Sequence, residues 1–405
     1  MELLGLPSEV LLMVLRYLDP LSVLACRAVC ARLRDLALHP HVWRHRHLRS
    51  ASRVEVVPFM MIPRTIPHSA LRAALRLAPI VHRLHVALPA CSAELRRLYS
   101  TTRCAAADLR LTVETKSGVL PAAYVIRNQN ALGRLQELWV NVYTVMDVND
   151  APALFEAIVS TSGLVNLHIF ETPYSRSSSP MYSTRAEARL SWPSRPSLRR
   201  FYCDLSPRWA PLCEAVLAAH AATLEVVELG HLVSATAASL LSRMPRLRWL
   251  ECTLLPGLEA VAGCPLLRDV QLLVARGPGS DARAAAEFLR RATQLRRLYL
   301  EYRDEEAEAR THRDEDLLLA LAASHRSRLE MLDLRLVPDE LFLGIRPDTA
   351  PSLDTLKVYS DAQCAHEFLH KDAVQRLLAV NPSLRLLVYL PDYCLVDSPC
   401  HACAR

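Results

Sequence analysis

Glycine is scarce in this sequence, 10 in 405 residues, and neither a G-x-G-x-x-G nor a G-x-x-x-x-G-K-[ST] run occurs. Loops that cradle a phosphate on bare backbone amides need such glycines, which argues against most nucleotide-dependent enzymes. Lysine is scarcer still: Lys116, Lys357 and Lys371 are the only lysines among 48 basic residues, so 48 − 3 = 45 are arginines. A GC-rich coding sequence accounts for that bias. No run of about 18 uncharged apolar residues, the length that spans a bilayer, is present. No basic stretch precedes the first apolar residues, so a secretory leader is not expected. The 12 cysteines then read as reduced, buried small hydrophobes of a cytoplasmic or nuclear protein.

Hydrophobic residues make up 51% of the chain and charged ones 22%, a balance that supports a large core. A net charge of +6 is small for this length and does not by itself point to nucleic acid. The length suits two or three domains, or one elongated repeat array.

The first fifty residues read as a separate helical unit. Val10, Leu11, Val14, Leu15 and Leu18 fall on one face of a helix. Asp19 is placed to cap a second helix whose first residue is Pro20, where a missing N–H costs nothing. Leu21, Leu24, Ala25 and Ala28 give that helix an apolar stripe, and a third helix spans Val29 to Leu38, stopping before Pro40. So short a segment buries too little surface to be comfortable alone, yet it is apolar on more than one face. It either caps the rest of the chain or completes its core against another protein.

Leu6-Pro7-Ser8-Glu9, Leu15-Arg16-Tyr17-Leu18-Asp19-Pro20, Val29-Cys30 and Trp43 follow one another in the order and spacing of the F-box, which this stretch resembles. One position departs: the family often has Trp three residues after the Cys, where this chain has Leu33. The resemblance implies a Skp-family adaptor as partner and, through it, the cullin and RING subunits of a ubiquitin ligase. Carried over by position, Leu6, Pro7, Val10, Leu11, Leu15, Val29, Cys30 and Trp43 would face the adaptor or support the face that does.

Beyond a linker at 51–69, an apolar-x-x-apolar-x-apolar pattern recurs ten times, from Leu135-x-x-Leu138-x-Val140 to Leu384-x-x-Leu387-x-Tyr389. First anchors lie 20 to 34 residues apart, and the mean is (384 − 135)/9, near 28. That period resembles a leucine-rich repeat, one short strand and one helical or irregular return per unit. Helical returns are legible over Pro211–Ala222, Ser234–Met244, Ser280–Ala292 with Ser280 as cap, Asp314–Ser324 and Lys371–Val380. Weaker copies at Val81-x-x-Leu84-x-Val86 and Leu109-x-Leu111 start the array near residue 70. The expected fold is α/β: a small three-helix F-box followed by an irregular solenoid over 70–405, a horseshoe with a parallel sheet. Tyr143, Thr172, Ser206 and Leu232 stand where the repeat usually carries Asn or Cys, which leaves another α/β solenoid or a plain α/β domain open. A Ser/Pro-rich stretch at 172–197 reads as an insertion. Arg303 to Asp316 reads as a solvated, charged helix face.

Side chains alternate along a strand, so residues between the anchors project onto the opposite, concave face. Trp139, His168, Tyr202, Trp249, Glu251, Arg297, Tyr299, Asp333, Arg335 and Tyr359 are the candidate target-binding residues there, rich in the aromatic and Arg types of binding hot spots. Mixed charge makes a phosphate backbone a poor ligand for that face. No nucleophile motif is present. Cys394 and Cys400-His401-Ala402-Cys403, with Cys364, His366 or His370, have metal-ligand types but irregular spacing, so neither a metal nor another cofactor is expected. These features together read as a non-catalytic substrate-recognition subunit of an SCF-type ubiquitin ligase. The other class consistent with them is a non-ligase interaction scaffold built from the same modules.

Overall fold

The computed structural model describes residues 3–49, 66–88, 93–143, 151–171, 195–205, 209–230, 234–274, 281–302, 317, 320, 328–335, 345–359 and 368–389. The chain forms two compact units, Met1–Leu198 and Arg199–Arg405.

The first unit begins with four short helices: α1 (Ser8–Tyr17), α2 (Pro20–Cys26), α3 (Ala31–Ala37) and α4 (Pro40–Trp43). Asp19 caps α2 as its chemistry requires, its Oδ1 accepting from the Leu21 and Ser22 amides at 2.9 and 3.1 Å. The α3 helix starts at Ala31, two residues later than the pattern suggests, because the Cys30 Sγ accepts from the Leu33 amide and acts as its cap. Leu11, Leu15, Val23, Leu33, Ala37, Val42 and Trp43 fill the small core. The α2 stripe read from the sequence turns outward: Val23 is the residue that packs inside, while Leu21, Ala25 and Ala28 are exposed.

Arg46 ties these helices together from within. It is 8% exposed, and its guanidinium donates to the carbonyls of Leu18 (2.5 Å), Leu15 (2.7 Å) and Val42 (2.9 Å). Two of those carbonyls belong to the last turn of α1 and its cap, where backbone acceptors run short of intrahelical donors; the Leu15 carbonyl also accepts from the Leu18 N–H at 3.3 Å. The Arg46 carbonyl accepts in turn from the His82 and Arg83 amides. The first strand, β1 (His47–Arg49), therefore lies within the N-terminal fifty residues and pairs in parallel with β2 (Ile80–Leu88).

From there strands and helices alternate: α5 (His68–Leu77), β2, α6 (Ala93–Thr101), β3 (Ala105–Val113), α7 (Val119–Ala131), β4 (Glu137–Val142), α8 (Ala151–Val159) and β5 (Asn166–Glu171). Strands β1 to β5 pair in sequence order, all parallel. Turns that lack an Asn ladder are held by other side chains instead. The buried Gln129 amide accepts from the Ala106 N–H (2.8 Å) and donates to the Cys104 carbonyl (3.1 Å). Asn130 does the same one repeat further on, with Ser162 N–H and the Ser160 carbonyl.

The second unit repeats the scheme with β6 (Arg200–Asp204), α9 (Ala210–His220), β7 (Val226–Leu229), α10 (Ala235–Leu241), β8 (Trp249–Thr253) and β9 (Asp269–Val274). It continues with α11 (Ala282–Arg291), β10 (Arg297–Tyr302), β11 (Met331–Arg335), β12 (Thr355–Tyr359), α12 (Asp372–Val380) and β13 (Arg385–Tyr389). Strands β6 to β13 also pair in order and in parallel. The shortest repeat, between Leu247 and Leu267, has room only for a six-residue 3₁₀ turn at Leu258–Gly263, entered through Gly257 at φ 76°. Asp281, not Ser280, caps α11, its carboxylate accepting from the Ala284 amide at 2.9 Å.

All anchors from Leu135 through Leu334 are at most 4% exposed, and the strand positions between them are mostly half-buried. The last copy is shifted by one residue. Leu386 and Val388 stand in register with Leu356 and Val358, so Leu387 and Tyr389 point to the other face, each 43% exposed. A one-residue slip exchanges faces because the side-chain period of a strand is two. Most of the 172–197 insertion and of the 51–69 linker, the 303–316 run, most of the 314–324 helix and the Cys/His residues at 364, 366 and 394–403 lie outside the described residues.

Candidate functional site

Three surfaces concentrate chemistry. The first is on the N-terminal helices. Twelve large hydrophobic side chains are exposed among the described residues, and six of them fall between Leu4 and Val29: Leu4, Met13, Val14, Tyr17, Leu21 and Val29. Met13, Val14 and Tyr17 follow the helical spacing of α1 on the side opposite Leu11 and Leu15. Tyr17 is 90% exposed, an unusual state for an aromatic. Arg32 holds the approach to α1 in place, donating to the carbonyls of Leu4 (2.6 Å) and Leu6 (2.8 Å) and to Ser8 Oγ (3.1 Å).

The residues carried over by resemblance divide accordingly. Pro7 and Val29 are exposed, Leu6, Val10 and Cys30 are half-buried, and Leu11, Leu15 and Trp43 are core. Trp43 is fully buried, with its indole N–H on the Ala37 carbonyl at 2.6 Å. Leu33, at the family's Trp position, packs inside as well. Met13, Tyr17, Leu21 and Arg32 were absent from the sequence-derived set. The signal for the first three was the second apolar stripe around the helices; none existed for Arg32.

The second surface is the face of β1–β5 away from the anchors. The row Arg49, His85, Arg110, Trp139 and His168 runs across it in register. The Arg110 guanidinium lies 4.4 Å from the Trp139 ring centre, and Trp139 stacks on His168 with centroids 3.6 Å apart and planes 10° from parallel. Arg83 and Arg110 both meet the Asp108 Oδ2, the latter at 3.4 Å. Burial, reinforced by Arg49 and Arg110, pushes the His85 imidazole down to about 4, so it is neutral at physiological pH. His168 faces this side but is only 8% exposed, covered by the Trp139 ring.

The third is the corresponding face of β6–β13. Its middle row reads Tyr202, Glu228, Glu251, Gln271, Tyr299, Asp333, Lys357 and Leu387. Trp249 and Tyr299 approach to 5.5 Å between ring centres. Arg297 is committed to Asp269 in a two-point pair at 2.6 and 2.7 Å, and Arg335 to Glu301 at 3.4 Å, its guanidinium 4.6 Å from the Tyr359 ring centre. Burial, then the charge of Glu251, pushes the Glu228 carboxyl up to about 7. Asp333 is only 4% exposed, and burial raises its carboxyl too. Tyr202, Trp249, Glu251, Tyr299 and Tyr359 are half-buried on this face, while Arg297 and Arg335 are exposed.

Among the described residues no group of three His, Cys, Asp or Glu side chains could hold a metal, and no helix is long and apolar enough to cross a membrane. The seven described cysteines are free thiols. Residues 3–49 match the family of F-box-like domains. The chain thus carries an F-box-like domain followed by parallel α/β repeats. Such domains are in general non-catalytic modules that bind a Skp-type adaptor. No curated protein matches the chain.

Proposed function

We propose that the chain is the substrate-recognition subunit of an SCF-type ubiquitin ligase, docking a Skp-family adaptor through residues 3–49 and holding a protein target on the repeats. The adaptor links it to cullin and RING subunits, in the cytoplasm or nucleus, and the chain itself performs no covalent step. Its contribution is proximity, which raises the local concentration of target lysines near the charged enzyme. The observation that carries this reading is a coincidence. The residues that match the F-box-like family are those on which half of the large apolar side chains exposed among the described residues gather. Patches of that kind on a water-soluble surface mark a protein partner.

The test is co-expression with a Skp-family adaptor and measurement of the complex. Met13→Ser with Tyr17→Ser should weaken it by about 3 kcal/mol, roughly 150-fold, the order expected for two anchoring side chains. Val380→Ser, about as exposed as Met13 but in the second unit, should change nothing. A folded wild-type chain that fails to co-purify, or a complex indifferent to the Met13/Tyr17 change, would remove the ligase reading.

A further inference from the structure

We infer that the β1–β5 face receives an extended segment of a partner protein laid across the strands, with an acidic side chain on Arg49 and an apolar one against Trp139 and Phe170. The row from Arg49 to His168 is flanked in register by His47, Arg83, Asp108, Glu137 and Asn166. In these two rows three guanidiniums, those of Arg49, Arg83 and Arg110, meet two carboxylates. Asp108 is only 1% exposed, and Arg83 and Arg110 reach the same oxygen of it, Oδ2, each through Nε. Their terminal amino groups make no hydrogen bond among the described residues. Glu137 accepts from the Asn166 side-chain amide at 3.0 Å. Arg49 is left over. It makes no hydrogen bond or ion pair among the described residues, and its Nε is shielded from water without an acceptor. Half-burying a cation in that way is costly unless an acceptor arrives. His85, its neighbour on β2, supplies no counter-charge: it is neutral and engaged by Thr112 Oγ1 at 3.0 Å.

An incoming carboxylate supplies the missing acceptor, since it matches the planar donors of a guanidinium, and Arg83 and Arg110 add to its attraction. The other end of the row is aromatic instead. Trp139 lies between Arg110 and His168, and Phe170 joins them with its ring centre 6.1 Å from Trp139 and 6.3 Å from His168. Trp139 and Phe170 are half-buried, which leaves part of each ring for a ligand to cover. The charge is thus confined to β1–β3. A phosphate backbone, charged at every step, would meet Glu137 and the rings where no cation stands, whereas a peptide can be acidic at one end and apolar at the other. The spacing fixes its register. From Arg49 on β1 to Trp139 on β4 are three strand intervals, about 14 Å, and residues i and i+4 of an extended chain are separated by about the same length.

This inference names the chemistry of the target in the receptor reading and depends on that reading only for calling the bound protein a target. The probe is a labelled peptide with blocked ends, neutral except for one glutamate, with a leucine four residues along. It is compared with the same peptide carrying glutamine. Fluorescence anisotropy on the full chain should show the glutamate peptide binding about tenfold tighter, with an advantage that shrinks as salt rises. Because the chain is net positive, +6, indiscriminate attraction would also favour an acidic peptide. Arg49→Gln is therefore set against Arg376→Gln, which removes the same charge from an exposed site in the second unit. Arg49→Gln should abolish the preference for glutamate, and Arg376→Gln should leave it unchanged. Equal binding of the two peptides, or equal losses in the two variants, would overturn the inference. A single-stranded oligonucleotide that binds as tightly and with the same dependence on Arg49 would overturn the choice of a peptide. Should Arg49→Gln fail to fold by thermal melting, the glutamate and glutamine peptides on the unaltered chain decide alone. Adaptor co-purification from the same preparations separates the two ideas. A chain that holds the adaptor but ignores the glutamate sinks only this inference, and one that selects the glutamate peptide but holds no adaptor sinks only the ligase reading.

Discussion

Replacing Arg46 by Met tests whether one internal cation organises the N-terminal helices. Met keeps most of the side-chain volume and removes the three carbonyl contacts at 2.5, 2.7 and 2.9 Å. Charge-assisted hydrogen bonds contribute about 1.5–3 kcal/mol each, which gives a gross loss of roughly 4–9 kcal/mol. Against this stands the cost of desolvating the guanidinium, which lowers the Arg46 pKa in the folded chain. Partial entry of water to the freed carbonyls offsets more. A net loss of about 3 kcal/mol in the local stability of α1 and α4 is expected. Hydrogen exchange reads it directly: protection should fall by roughly two orders of magnitude over residues 8–18 and 40–46. The β6–β13 amides should be unchanged, because they belong to the other compact unit. Arg46→Lys should recover part of the loss, since an ammonium reaches fewer of the three carbonyls. Arg44→Met, on an exposed neighbour, should cost less than about 0.5 kcal/mol. Unchanged protection in Arg46→Met would refute the argument, because the α1 carbonyls would then be satisfied without the guanidinium.

Two further outcomes follow from buried polar groups. Glu228 has a folded-state pKa of about 7 against an ordinary 4.5, so between those values the folded chain holds a proton that the unfolded chain has released. Stability therefore falls as pH rises through that window, and the cost is complete above it. Glu228→Gln should raise stability at pH 8 by about 1 kcal/mol, after discounting for solvent on the open side, and change little at pH 4; denaturant midpoints that shift equally at both pH values would contradict this. Gln129→Leu should cost about 2–4 kcal/mol, because it orphans the Ala106 N–H and the Cys104 carbonyl while conserving volume; a loss below about 1 kcal/mol in denaturant unfolding would show that water replaces the amide.

Most of the architecture was legible in the leucines. Anchors three and five residues apart give each strand its buried face, and the loose period of near 28 residues signals the helical return between strands. The helices of the F-box-like domain were legible through linked positions such as Leu6-Pro7 and Asp19-Pro20. What escaped depends on neighbours that spacing does not encode. The final strand slipped because Leu384, Leu386, Leu387 and Val388 offer two apolar registers, and the packing on Leu356 and Val358 chooses between them. His168 and Asp333 were read as surface residues because they lie on the open face, yet ring stacking and neighbouring strands cover them. Arg46 carries no sequence sign of its burial; only the convergence of the ends of α1 and α4 makes a cation useful there.

That convergence bears on how a receptor of this kind would work. Proximity accelerates transfer only when the two ends of the device keep a fixed relation. In the first unit the Arg46 side chain holds the end of α1, and its carbonyl accepts the amides that open β2. One residue thus joins the helices of the F-box-like domain to the sheet, and β1 follows it directly without a spacer. On the receptor reading, a target held on the β1–β5 face would be positioned relative to the adaptor by packed secondary structure rather than by a tether. A change that loosens Arg46 should then weaken ubiquitin transfer more than adaptor binding alone accounts for, since it loosens α1 and also its mutual orientation with the sheet.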